Sequence, residues 1–202
     1  SDLVFLSLAG GLAPASPVTL AGGRAGRRQI VTTETTLRLL EEAGASLRDR
    51  ALPAAFAQPF TLGPRRLEVV PSGLLPGAAA LLCETDAVRA FYLGAFCPEP
   101  LLAGMEPALF RSAGAVCINA TAAHPAWPLP PRREGLERVR DFVERGLRAG
   151  ARVVLFGSPF EALPAVLAEL ARAGIAIRAH QRIAAVSRRW RGVCESLPPV
   201  TR

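Results

Sequence analysis

Residues 151–179, ARVVLFGSPFEALPAVLAELARAGIAIRA, decide the fold class. The apolar run Ala151–Phe156 reads as a buried strand, too short and too apolar to be a surface helix. Ser158–Ala173 then reads as a helix. Ser158 can cap it, Pro159 takes the first helical position, and Glu161 closes a capping box. Ile175–Ala179 is expected as the next strand, and Ile183–Trp190 as a last amphipathic helix. Strand, helix and strand in succession predict a parallel unit.

The chain before this unit is richer in strands. Asp2–Leu8 and Gln29–Thr32 read as short buried strands, and Thr33 can cap a helix over Glu34–Ala43 that stops at Gly44. Pro59–Leu62, Arg66–Pro71, Ala78–Glu84 and Val88–Leu93 follow as strands, the last two joined by a turn at Thr85-Asp86. Ala115–Asn119 is expected as another buried strand. HPAWPLPPRR (124–133) cannot be regular structure, since proline lacks an N–H and restricts its neighbour. It leads into a charged helix over Arg133–Ala149. A strand-rich region followed by a parallel unit predicts an α/β sandwich with mixed sheets, in one domain over residues 1–202.

Half of the 202 residues are hydrophobic, enough for a substantial core. No run reaches the ~18 apolar residues of a membrane span, and no basic leader precedes the first apolar run. All 24 basic residues are arginine, which removes Schiff-base and phosphate-loop lysine chemistry. The net charge of +7 gathers late, with seven arginines against Glu195 alone between Arg172 and Arg202. The four cysteines are Cys83, Cys97, Cys117 and Cys194, none within three residues of another, so zinc-ribbon spacing is missing. Cys83 and Cys117 sit in apolar runs and are expected as buried thiols, consistent with a reduced, cytoplasmic protein.

Few residues offer chemistry. His124 and His180 are the two histidines, and a Cys97–His180 pair is conceivable, though it lacks an orienting third group. The Gly-rich stretch 11–27 lacks the lysine of a phosphate loop and reads as a connection, with Arg24, Arg27 and Arg28 able to touch phosphate. The helix start at Ser158 is a natural anion site that its own cap partly fills. Glu134, Glu137, Asp141 and Glu144 alternate with arginines and read as a solvated, i,i+4-paired face. In RRWRG (188–192), Arg188, Arg189 and Arg191 flank Trp190. With Arg182 they could grip phosphates while the indole stacks a base, or Trp190 could cover the core.

Several segments, in order, resemble the metallo-β-lactamase-fold exonucleases associated with bacterial DNA ligases. DLVFLS looks like the strand that ends in the family's His-x-His-x-Asp-His motif, and QIVTTETTLRLL like the return to the sheet and the first helix. RLEVVPSGLLPGAAALLCE and AFYLGAFCPEP are similar to the strands that carry a histidine and the bridging aspartate. NATAAHPAWP, VVLFGSPFEALPAVLAEL and IRAHQRI resemble the threonine-bearing loop, the closing strand and helix, and the histidine-bearing strand. The resemblance implies a metallo-β-lactamase-like αβ/βα sandwich. The family's strands before the position of Asp2 have no counterpart here, leaving a sheet edge that would need cover or a strand from another chain.

Laid on that pattern, the metal ligands are gone. The main motif falls on Leu8, Gly10, Leu12 and Ala13, the second histidine on Leu74, the bridging aspartate on Ala95, and the helix lysine on Ala162. His180 keeps the place of the late histidine. Two-metal hydrolysis needs imidazole nitrogens, carboxylate oxygens and a bridged hydroxide, and leucine and alanine supply none of these. Each leucine that fills the centre would instead add about 1.5–3 kcal/mol when fully buried. The expectation is a pseudo-nuclease without metal or cofactor, acting in DNA repair or RNA processing through a protein partner or as a homo-oligomer such as a dimer. The alternatives are a nucleic-acid-binding module using Arg182, Arg188, Arg189, Trp190 and Arg191, and a metal-free enzyme around Cys97 and His180.

Overall fold

The computed structural model describes residues 3–9, 29–42, 45–100, 102, 104–120, 126, 129–158 and 162–191, the side chain of Arg189 excepted. It is of the α/β class, with one parallel sheet, one mixed sheet and, among the described residues, four helices. The chain divides into two compact units, Ser1–Leu101 with Met105–Asn119, and Leu102–Gly104 with Ala120–Arg202. No described helix is long and apolar enough to cross a membrane.

The first unit holds both sheets. β1 (Leu3–Phe5), β2 (Gln29–Thr32) and β3 (Ala51–Pro53) run parallel in that order. α1 (Glu34–Glu42) follows β2, buries Leu37, Leu39 and Leu40, and receives its cap from Thr33, whose Oγ1 accepts the N–H of Thr36 at 3.2 Å. The five-stranded sheet is β4 (Phe60–Leu62), β5 (Arg65–Pro71), β6 (Ala79–Glu84), β7 (Arg89–Gly94) and β8 (Ala115–Ile118). Its first four strands form an antiparallel meander, and β8 joins β7 in parallel. Thr85 closes the β6–β7 turn, its N–H donating to the Val88 carbonyl and its Oγ1 accepting from the Val88 N–H.

Strand alternation gives the larger sheet two apolar faces. Leu67, Val69, Ala79 and Leu81 pack with Val31 of β2, flanked by Leu3, Phe5 and Leu52, so the two sheets share one core. Val70, Ala80, Leu82, Phe91 and Leu93 form the other face, against which Phe96, Leu109 and Ala113 pack. Those three belong to the segment joining β7 to β8. It is tied down where Cys97 N–H donates to the Ser72 carbonyl (2.8 Å) and Leu109 N–H to the Pro71 carbonyl (3.0 Å).

The second unit is helical among its described residues. α2 (Arg132–Arg148) packs against α3 (Leu163–Arg172), with Arg140 Nη1 3.2 Å from Glu169 Oε1, and α4 (Gln181–Arg191) closes the described chain. The expected i,i+4 pairs on α2 form: Arg133 with Glu137, Arg138 with Glu134, and Arg140 with Glu144.

Four sequence expectations are corrected. Residues 151–156 form no strand: Val154 is 60 % and Phe156 95 % exposed, and no described neighbour supplies ladder bonds. Residues 175–179 contribute a single bridging residue, Arg178, and no strand. The helix expected from Ser158 begins at Leu163, with Ala162 at its N-cap and no side-chain cap bond. Pro164 sets that start, because deeper in a helix its ring would clash with the carbonyl four residues back, whereas the first turn tolerates it. β8 forms where expected but every one of its residues is exposed, Cys117 among them, and Cys83 is half-buried.

Candidate functional site

The C-terminal ends of β1, β5 and β7 meet at one end of the first unit. Ser7 O accepts the N–H of Ala79 at 2.7 Å, and Ser72 O accepts that of Cys97 at 2.8 Å, so the three strand exits are fastened to one another. Leu8, Leu74 and Ala95 lie on these exits and are half-buried. Three of the six positions that the resemblance assigns to metal ligands are therefore at one sheet end, and their side chains carry no donor atom. Gly10, Leu12 and Ala13 lie outside the described residues, as do Arg24, Arg27, Arg28, His124 and Cys194. Among the described residues, no three His, Cys, Asp or Glu side chains cluster in a way that could hold a metal ion.

What holds this end together is a threonine seam that the sequence reading did not anticipate. Thr32 Oγ1 donates to the Leu6 carbonyl (2.8 Å), and Thr33 Oγ1 and Thr36 Oγ1 both donate to the Gly77 carbonyl (2.7 and 2.9 Å). The turn 72–78 is drawn tight by Ser72 N–H on the Ala78 carbonyl and Ala78 N–H on that of Leu75. Gly73, at φ +71°, sits so close to the β7–β8 segment that a Cβ there would fall 2.1 Å from the Cys97 carbonyl oxygen. The signal was present in TTETT (32–36), where polar β-branched residues straddle the end of a buried strand. The Ser72 hydroxyl is buried with no hydrogen-bond partner among the described residues.

Cys97 and His180 each have a local setting. Cys97 is half-buried in the first unit, its backbone engaged on both sides: N–H to Ser72, carbonyl from Ala108. His180 is exposed in the second unit and immediately precedes α4. Its Nδ1 accepts the N–H of Arg182 at 3.3 Å, and its carbonyl that of Ala184 at 3.0 Å. The imidazole thus serves as a helix cap. Ser158 stands outside α3, whose N-cap residue Ala162 is exposed and makes no side-chain cap bond, so this helix start lacks the serine cap expected for it.

The arginine-rich C-terminal candidates separate by burial. Among the described side chains of α4 the exposed ones are Gln181, Arg182, Ala185 and Arg188, one stripe at helical spacing, while Ala184, Ser187 and Trp190 are buried. Trp190 is 1 % exposed, so of its two readings the indole covers the core and offers no stacking surface. Arg191 is half-buried. No acidic residue lies on α4, and neither Arg182 nor Arg188 forms an ion pair among the described residues. Charge also divides by unit. The first has ten arginines against ten acidic residues, the second fourteen against seven, so the second carries the whole +7.

No family model matches the chain, and no curated protein is significantly similar to it.

Proposed function

We propose that this chain is a non-catalytic, cytoplasmic interaction or scaffold subunit, a pseudo-nuclease built on a metallo-β-lactamase-type αβ/βα sandwich. Two sheets sharing one core, with Leu8, Leu74 and Ala95 at the strand exits, are compatible with that fold stripped of its metal ligands. The observation that carries the interaction role is β8. It is an edge among the described strands, all four of its residues are exposed, and Val116 (59 %) and Ile118 (51 %) extend one apolar row. None of the usual devices that blunt an edge, a charge or a proline, occurs within Ala115–Ile118. A protein partner, a second copy included, would bury this row.

Light scattering of the purified chain tests the role. The expected result is an oligomeric mass that falls to the monomer in Val116→Lys/Ile118→Lys, with no phosphodiester cleavage when zinc or manganese is added. Cleavage that a chelator stops would overturn the reading.

A second reading, a nucleic-acid-binding module, is favoured by Arg182 and Arg188, which lie on the acid-free stripe of α4 with no carboxylate partner among the described residues. In the same protein the two readings are compatible, since they use different units.

A further inference from the structure

The arginines of the second unit fall into two populations. On α2 and α3, Arg133, Arg138, Arg140 and Arg172 each have a carboxylate partner: Glu137, Glu134, Glu144 with Glu169, and Glu169. Arg145 and Arg148 of α2 have none among the described residues, but they share their helix with four carboxylates. On α4, Arg182 and Arg188 have none among the described residues and share the exposed stripe with Gln181 and Ala185. Their Cα atoms are six residues apart, a rise of about 9 Å and about 120° around the axis, so two guanidinium forks are offered at the two edges of the exposed stripe.

Burial of Trp190 decides what kind of polyanion suits this stripe. Single-strand binders add the stacking of successive bases on exposed aromatic rings. The exposed stripe of α4 has no aromatic side chain, and Trp190 is buried. What remains is attraction to phosphates, and a duplex presents twice the charge per unit length of a single strand. Anionic membranes fit less well, because an interfacial helix inserts an apolar face, whereas on α4 Ala184, Ser187 and Trp190 are already buried.

We infer that α4 is a backbone-only ridge for double-stranded nucleic acid, indifferent to sequence, with Arg182 and Arg188 as its phosphate contacts. This rests on the nucleic-acid reading above and goes further, by assigning the strandedness and the two residues.

The test is fluorescence anisotropy on the full chain, with a duplex of about 20 base pairs and a single strand of the same length, over a range of salt concentrations. The duplex is expected to bind at least fivefold more tightly, with unrelated sequences equivalent. Arg182→Glu/Arg188→Glu should weaken duplex binding more than tenfold and flatten the slope of log K against log salt by about 1.8, two phosphates at about 0.9 each. Arg133→Glu/Arg138→Glu changes the net charge equally at residues already paired, and should stay within threefold of wild type. Circular dichroism confirms that both variants fold. A single strand bound as tightly as the duplex overturns the inference and leaves the nucleic-acid reading standing. Binding of neither at low salt overturns both. Equal losses in the two double variants, or tighter binding to phosphatidylserine vesicles, overturn the assignment to α4.

Discussion

Arg111 holds Glu68 through two nitrogens: Nε lies 3.1 Å from each carboxylate oxygen, and Nη2 lies 2.6 Å from Oε1. Glu68 is on β5 and Arg111 on the segment that crosses the outer face of the larger sheet, so one ion pair fastens that cover to the sheet. Both side chains are mostly buried, at 15 % and 28 % exposure, where a charge-assisted fork outperforms a surface pair.

The hydrogen bonds from Arg111, against a smaller opposing effect of desolvation, hold the Glu68 carboxyl below its usual range. A depressed carboxyl contributes stability in full above its unfolded value, near 4.5, and loses it as pH falls through the folded value. Arg111→Gln is therefore expected to cost about 1–2 kcal/mol at pH 7. In urea titrations the gap to wild type should narrow below pH 4.5, as Glu68 protonates in both proteins.

Gly73 and Gly63 both have positive φ, +71° and +59°, but only Gly73 is hemmed in, with Cys97 O and Ala108 N at 2.1 and 2.6 Å from where a Cβ would sit. Gly63→Ala meets open space and should cost about 1–2 kcal/mol, the conformational penalty alone. Gly73→Ala must in addition push apart the turn and the cover, and should lower the midpoint of thermal unfolding by clearly more. Equal shifts would show that the two backbones separate without resistance.

Trp190→Ala should destabilise by about 3–5 kcal/mol, as expected for emptying a fully buried indole site. Arg188→Ala, two residues away on the exposed stripe, should stay within about 0.5 kcal/mol. Denaturation followed by circular dichroism compares them directly.

The meander was legible because its strands alternate and are separated by turn residues. Observed ends from Phe60 to Gly94 fall within one residue of the expected ones. Thr33 as a cap was legible for the same local reason. What failed depended on neighbours. Residues 151–156 have the composition of a strand, yet no described segment pairs with them, and the apolar character of Ala115–Ile118 was taken for burial although it forms an exposed edge. β3, three residues long, is too short to show a period. One error was avoidable: Pro164 argued against a helix begun at Ser158. The choice left open for Trp190 was also legible, since the spacing of Ala184, Ser187 and Trp190 puts the indole on the inner face of α4. At the candidate sheet end, Leu8, Leu74 and Ala95 were singled out by the resemblance alone, whereas the seam beneath them depended on side-chain hydroxyls reaching 26 to 44 residues along the chain.

Thr33 Oγ1 belongs at once to the first turn of α1 and, through the Gly77 carbonyl, to the 72–78 turn. Neither element can open while that hydroxyl keeps both bonds. Fraying of the helix and loosening of the turn should then be a single event, with the amides of Thr36 and Ala78 exchanging against deuterium at a common rate, although they lie on different elements and 42 residues apart.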